Sequence, residues 1–510
     1  MKPHFQNLAV TPNSLLLTFL GILLFIMAGL SGCSTPYDEN RGSLSEKPDI
    51  PDHLSGRDLY RLQPYFQNPW YWQYKGKPVL LLGASDEDNL FNHPNIEPDG
   101  LEAHLDELVS VYSDELTSVL PYVRNTLSSR DGGNMWWFQK DDDTGLFDLN
   151  NLNEEYWERF DNLLKLTAQR KIMVQIELWD RFDFARDAWD ANPFNPSNNR
   201  NYNSDESGLP TSISSHPGDG KNPFFRTVPE LEDRELLLPY QEKIVEKMME
   251  ISLKYDHVLY TISNETSESP LWSEYWARFL RKNADLAGKQ IEMTEMWDAW
   301  DLTDKEHGYT FSQPELYSFV DISQNGHQDG QTHWDNMQKA RDLLSVKPRP
   351  MNTVKIYGAD NGKYHGTSEE EATNRLWRNI FGGLASSRFH RPPHGIGLNE
   401  TAITHLRSAS MLVGEFNIFS SEPSNELLND CQENEAYAMA GTDNQYAVYF
   451  PSGGSVVLEV PENTGSLTIR WLNIHESKWE KEITREPGSS GIKLTAPDSG
   501  QWAVTVQVVD

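Results

Sequence analysis

Val258-Leu259-Tyr260-Thr261-Ile262 is a short β-rich apolar run, and it ends in Ser263-Asn264-Glu265. The run has the length and the β-branched and aromatic content of a strand aimed at a core. An amide and a carboxylate at its end set a condition on the fold, because a buried charge needs a partner or a way to water. In a parallel α/β barrel, the carboxyl ends of the strands open onto the functional face and meet that condition.

Other runs of this kind recur along the chain. Counting 257–262, eight candidate strands lie at 78–82, 118–122, 171–177, 257–262, 290–294, 319–323, 351–356 and 379–385. Amphipathic stretches lie between most of them. In 152–169, Tyr156, Phe160, Leu163, Leu164 and Leu166 recur near the helical period, and 239–254 does the same with Ile244, Val245, Met248, Met249 and Ile251. Eight alternations predict a (β/α)8 TIM barrel over 57–430. The rival is an open, doubly wound sheet, but no glycine-rich phosphate loop follows any of the strands. The connection over 180–239 is long and rich in Asn, Pro, Ser and Gly, so it is expected to shape a cleft. After residue 430 the helical periods stop. Runs at 446–450, 455–460, 466–471 and 502–506, with turn residues between them, predict a small all-β sandwich over 431–510.

The amino end reads as a targeting segment. Lys2 is followed by an uncharged apolar run over 15–30, too short to span a bilayer comfortably. It ends at Leu30-Ser31-Gly32-Cys33, which resembles a bacterial lipobox, and that resemblance implies a lipoprotein signal peptide over 1–32, lipidation of Cys33 and a polar tether over 33–56. Ser34 does not resemble an inner-membrane retention signal, so the expected location is exported and lipid-anchored at the outer membrane. The chain has two cysteines, Cys33 and Cys431, which allow no disulfide framework and no zinc cluster. A net charge of -32 repels nucleic acid. It does not exclude an anionic substrate, since a local basic pocket can oppose the global field.

Glu265 has a chemical logic at a strand end. Its carboxyl can give a proton to a leaving glycosidic oxygen while the Asn264 amide holds a sugar hydroxyl. The bland alternative is a helix cap or surface carboxylate. The barrel as a whole resembles the large clan of retaining glycoside hydrolases whose acid/base is the Glu of Asn-Glu after strand four. More closely, it resembles the apiosidase-like barrels that carry a C-terminal domain labelled collagen-binding. The residues that carry this likeness are Tyr446-Ala447-Val448-Tyr449-Phe450-Pro451-Ser452-Gly453-Gly454, Arg470-Trp471-Leu472-Asn473 and Thr495-Ala496-Pro497-Asp498-Ser499-Gly500-Gln501-Trp502. Barrel and tail together cover nearly all of the chain after the tether. An acidic sandwich fused to such a barrel is expected to be a structural brace or a sugar-binding accessory.

One departure stands out. The clan's nucleophile is a Glu ending strand seven, and here that stretch reads Met351-Asn352-Thr353-Val354-Lys355-Ile356-Tyr357-Gly358-Ala359-Asp360. Lys355 falls about where the nucleophile would be. Three residues could supply a second carboxylate: Glu295 after strand five, Asp360 in the loop after strand seven, and Glu177 after strand three. Glu295 is preferred, because Thr294 and Trp297 beside it suit a strand end open to a sugar; its alternative is a buried Glu paired with Lys355 or an arginine. Lys355, Arg388, His390 and Arg391 could form a basic floor for the carboxylate or sulfate of a glycan, or an ion-pair network closing the barrel. His327, His333, Trp297 and Trp300 are expected along the same rim. Trp137, within Trp136-Trp137-Phe138, could stack on a sugar or roof a core. Asp86, within Ser85-Asp86-Glu87-Asp88-Asn89, could bind sugar hydroxyls, and calcium there is a minority reading. No cofactor or metal is expected, and the expected partners are a polysaccharide or oligosaccharide and a membrane reached through Cys33. A non-catalytic glycan-binding barrel is the rival from another class, favoured by Lys355. A scaffold binding matrix protein through the tail is a third reading.

Overall fold

The computed structural model describes residues 60–94, 98–112, 118–129, 132–359, 368–442, 444–461 and 464–509. The expected signal segment, Cys33, the whole of the tether and Asp360 lie outside these residues. Eight parallel strands, each followed by a helix, make the barrel: β1 Lys77–Ala84 and α1 Pro98–Ser110; β2 Val119–Thr126 and α2 Glu154–Arg170; β3 Met173–Asp180 and α3 Leu238–Ser252; β4 Val258–Asn264 and α4 Pro270–Leu286; β5 Met293–Thr294 and α5 Lys305–Phe311; β6 Val320–Asp321 and α6 Gly330–Leu344; β7 Met351–Ile356 and α7 Glu369–Phe381; β8 Ser386–Phe389 and α8 Glu400–Glu415. The sheet runs β6-β7-β8-β1-β2-β3-β4-β5. Hydrogen bonds of 3.1 Å from the Ser318 amide to the Met293 carbonyl, and from the Met293 amide to the Ser318 hydroxyl, tie β5 to the entry of β6.

The pleat sorts the strand residues. Val79, Leu81, Leu120, Tyr122, Met173 and Leu259 pack inside the barrel, while Leu80, Leu82, Val119, Val123, Val174 and Tyr260 face the helices. At the amino end of the barrel the strand Trp72–Tyr74 pairs antiparallel with β1, and Trp72 packs into the interior cluster with its indole N–H 3.0 Å from the Asn352 amide oxygen.

The eighth expected strand is corrected. Residues 379–381 finish α7 instead, because its period, its Ser368 cap and its three opening glutamates carry the helix to Phe381. Gly382 and Gly383 stop it, with Gly383 at φ +77, and β8 starts at Ser386. Arg388 therefore lies within the strand.

The tail begins earlier than residue 431, since Ser421–Pro423 already pairs with Tyr437–Gly441. Its larger sheet also contains Gln445–Phe450, Trp502–Val508 and Leu467–Asn473, and a three-stranded sheet of Leu428–Asn429, Ser455–Leu458 and Ile492–Thr495 packs against it. Both faces of the larger sheet are buried. Val448, Phe450, Trp502, Val504 and Val506 face the smaller sheet, while the alternate residues Tyr437, Met439, Ala447, Tyr449 and Ala503 pack onto the barrel. Tyr449 stacks on Trp377 of α7 with ring centroids 5.5 Å apart, and its hydroxyl donates to the Asn374 amide oxygen at 2.5 Å. Barrel and tail form one compact unit, which supports the brace reading over a free accessory. Tyr449→Ala is expected to lower stability by about 3–5 kcal/mol, with barrel and tail still unfolding in one urea transition followed by fluorescence and circular dichroism. Two separated transitions in the parent would contradict the brace.

Candidate active site

The barrel interior becomes polar toward the carboxyl ends of the strands. Above the apolar layer, the Asn352 amide contacts the Gln175 side chain and the Tyr122 hydroxyl, at 3.3 and 3.4 Å. One level higher, Arg124 of β2 donates to Glu177 of β3 at 2.6 Å and lies 3.0 Å from Asp88. Arg388 and Arg391 also reach Asp88, at 3.3 and 2.9 Å. Burial alone would raise the Asp88 carboxyl, but Arg124, His390, Arg391 and Arg388 outweigh it and hold it well below the usual carboxylate range.

Glu265 sits on this floor, at the end of β4. Its φ of +52 places it in the left-handed region, an unfavourable backbone for a Glu. Immediately beyond it, the Thr266 amide donates to the Met296 carbonyl at 2.8 Å, so the chain kinks at Glu265 and rejoins the β5 side. Lys355 enters the barrel from β7. The β7–β8 register shifts between Thr353 and Ile356, and this irregularity lets Val354 and its neighbour Lys355 both reach the interior. The Lys355 ammonium donates to Asn264 Oδ1 and to Glu265 Oε1, each at 2.5 Å. The Tyr357 hydroxyl donates to the same carboxylate oxygen at 3.1 Å. Asn264 is itself held by donating to Asp180 at 3.1 Å. Burial would push the Glu265 carboxyl up, yet Lys355, then Arg181 and Arg124, hold it well below its ordinary value. Glu265 is ionised in the free protein.

A second carboxylate shares the site. Arg181 Nη2 lies 3.5 Å from Glu265 Oε2 and 2.9 Å from Asp298 Oδ1, so the two oxygens are separated by no more than the sum of these distances. Asp298 follows β5, and its amide donates to the Thr266 carbonyl at 2.9 Å. Burial, together with the Glu265 charge, raises its carboxyl above the ordinary value against the pull of Arg181. Glu265 and Asp298 line a cleft of about 540 Å³ with the cations Arg124, Arg181, Arg186, Lys355 and Arg391, with Tyr357, and with His216, His327, His390 and His394. Five cations and two carboxylates line the cleft, and with Arg124 and Arg391 paired to Asp88 and Glu177 beneath it, a small positive excess is left in a chain of net charge -32. The 180–239 connection forms one wall. Asn192, Asn195 and Asn222 side chains donate to the Asp183, Trp189 and Phe184 carbonyls, at 2.9, 3.0 and 2.6 Å. Phe184 stacks on Phe224 beneath it, centroids 3.8 Å apart.

Of the residues singled out from the sequence, Glu265, Lys355, His390, Arg391, His327 and Trp300 meet in this cleft, with Asn264 directly behind Glu265. Others do not. Glu295 is fully buried and accepts from the Ser263 amide and hydroxyl, the Ser273 hydroxyl and the Met296 amide. Burial pushes its carboxyl up to about 8 despite these donors. It braces the end of β4, and Lys355 is not its partner. Glu177 lies under the floor on Arg124, and burial raises its carboxyl. Arg388, also below the floor, donates to the Val354 carbonyl at 2.8 Å. Trp297 is buried with its N–H on Thr310 at 2.7 Å, and His333 is buried beneath α7 against Arg378. Trp137 roofs the wall's aromatic core and donates to the Leu127 carbonyl at 2.8 Å. Asp86 instead accepts from the Leu398 amide at 2.8 Å and does not line the cleft. Asp298, Arg181 and Tyr357 were missed. The only sequence signal was their place just past the ends of β5, β3 and β7.

An eightfold parallel barrel with carboxylates at its carboxyl-end mouth is an architecture found among glycoside hydrolases. The chain is similar in fold to a family 5 glycoside hydrolase from Bacteroides vulgatus ATCC 8482, at 13% identity over 89% of this chain and 95% of that one, with a TM-score of 0.59. It is also similar to a second solved glycoside hydrolase, at 12% identity over 89% of this chain and 98% of that one, with a TM-score of 0.55. Identities this low make the likeness one of fold. No protein-family model matches the chain, and no curated protein does.

The Lys355–Glu265 pair has a pH signature. A carboxyl held below its unfolded value of about 4.3 contributes stability at neutral pH, which is lost as pH falls through the lower folded value. Without the ammonium, the largest influence opposing burial is gone and the carboxyl rises, with Arg181 and Arg124 still pulling it down. Lys355→Met is expected to cost about 3–5 kcal/mol at pH 7 and visibly less at pH 5, by urea unfolding. An equal loss at both pH values would contradict the pairing.

Proposed function

We propose that this chain is a glycoside hydrolase acting on an acidic or sulfated glycan, with Glu265 and Asp298 as its two carboxylates. The observation that carries the reading is their sharing of one guanidinium nitrogen at the mouth of the barrel. We read the two as a retaining pair, in which one carboxylate is the nucleophile and the other serves as acid and then base. Glu265, held ionised, attacks the anomeric carbon. Asp298, with its raised carboxyl, protonates the leaving glycosidic oxygen as the C–O bond breaks. Water, deprotonated by Asp298, then releases the sugar from Glu265. The proton-donor role expected of Glu265 thus passes to Asp298, because an ammonium at 2.5 Å opposes protonation of Glu265. Arg186 and Arg391, with Arg124 below, suit a carboxylate or sulfate on the substrate.

The finer expectations belong to the same proposal. Export with a lipid on Cys33 at the outer membrane rests on Leu30-Ser31-Gly32-Cys33. Membership of the apiosidase-like barrels rests on the tail motifs, and the packed sheet supports a brace there rather than a binder of collagen. The Lys355 lock on Glu265 favours one rival, a barrel that binds glycan without cleaving it.

The test is sugar release from neutral, uronate-bearing and sulfated glycans by soluble protein from Asp52 onward. Release is expected from the charged glycans, falling with added salt. Glu265→Gln and Asp298→Asn are each expected to reduce it by about 10²–10⁴-fold. Undiminished release by Glu265→Gln would overturn its role, and saturable binding without any release would establish the binding barrel.

A further inference from the structure

Trp300 is the one exposed tryptophan among the described residues, at 46%, and it lines the cleft two residues beyond Asp298. About half of this large apolar ring stays exposed at the edge of a polar cleft, and burying it would be favourable. It is not loosely placed. The indole lies over the His327 ring, with centroids 4.5 Å apart and planes at 31°. His327 in turn stacks on Tyr357 at 4.6 Å and 20°. The Tyr357 hydroxyl ends the column on Glu265. His390 meets Tyr357 edge-on at 5.1 Å and fixes its ring from the side. Three rings from three different barrel connections thus form one column, running from the exposed indole to the ionised carboxylate.

We propose that this column is a carbohydrate subsite, in which the face of Trp300 carries a pyranose next to the one that meets Glu265. This rests on the glycoside reading of the cleft. A pyranose presents a patch of C–H groups on one face and hydroxyls around its edge. The indole takes the C–H face by dispersion and removal of water. His327 behind it sets the ring angle before the sugar arrives, which lowers the ordering cost of binding. Arg186 and His216, on the wall supplied by the 180–239 connection, line the same cleft and suit an anionic substituent on that sugar. Selectivity then has two sources: the aromatic face accepts any flat pyranose, and the cations favour a charged one.

The test is binding of oligogalacturonate, of a chondroitin sulfate oligosaccharide and of a neutral cello-oligosaccharide, by calorimetry, to the parent, Glu265→Gln, Trp300→Ala and Trp300→Phe. Tryptophan fluorescence is read in parallel. One or both charged oligosaccharides are expected to bind the parent and to shift its fluorescence. Trp300→Ala is expected to weaken that binding by about 10–100-fold and abolish most of the fluorescence shift, with Trp300→Phe recovering part of the affinity. Glu265→Gln serves as the form that does not turn the oligosaccharide over, and Trp300→Ala is expected to weaken binding in that background as well. Binding by Trp300→Ala equal to the parent overturns the subsite and leaves the hydrolase reading standing. Binding lost in Trp300→Ala, from a parent that cleaves nothing, supports the subsite and overturns the hydrolase reading. No binding of any oligosaccharide by the parent overturns both.

Discussion

The Lys355 ammonium lies inside the barrel, 2.5 Å from both the Asn264 amide oxygen and the Glu265 carboxylate. A buried charge of this kind is tolerated only when its partners are placed for it, and much of the upper barrel follows from that requirement. The register shift in β7 turns Lys355 inward. Asp180 holds the Asn264 amide so that its oxygen faces the ammonium. Glu295, beneath, accepts from the Ser263 amide and hydroxyl and fixes the end of β4, where Glu265 takes its left-handed backbone. The cost of the kink at Glu265 is offset by the charge pair it creates.

The same lock sets the chemistry available. A carboxylate facing an ammonium, a guanidinium and a phenol stays ionised, and its neighbour Asp298, raised first by burial and then by that charge, moves the other way. Two carboxyls in one cleft are thereby pushed apart in proton affinity, which is the condition for dividing nucleophile and acid between them. The surrounding arginines add a second constraint. They are balanced below the floor by Asp88 and Glu177, but at the cleft surface they outnumber the acids. An acidic protein thus presents a locally positive mouth.

Much of this was legible in the sequence, and the failures have specific causes. Seven of the eight strands were read from apolar runs, and the Asn264-Glu265 end of β4 marked the functional face. The eighth strand is expected too early because 379–385 is apolar enough for either element, and the Gly382-Gly383 stop is what separates helix from strand. Lys355 stands out in the sequence where a Glu is expected, but its inward direction depends on a register shift with no residue signature. Glu295 draws preference from the Thr294 and Trp297 beside it, while Asp298 carries no signal of its own; both follow β5, and only side-chain direction separates them: one points back toward Ser263 and Ser273, the other into the cleft. Trp137 and Trp297 illustrate a general limit, since an aromatic beside a strand end serves a core as readily as a sugar. The alternation of Tyr446, Val448 and Phe450 against Ala447 and Tyr449 already held the brace, with both faces apolar and so both faces covered.

The central claim is that a sugar is held between Glu265 and Asp298. The most direct measurement is a crystal structure of Glu265→Gln with an acidic oligosaccharide bound. The account predicts an anomeric carbon within about 3–3.5 Å of the residue-265 side-chain oxygen, the glycosidic oxygen toward Asp298, and the charged substituent against the cleft arginines. A sugar bound elsewhere on the chain, with Lys355 and residue 265 still closed on each other beneath an empty cleft, would contradict it.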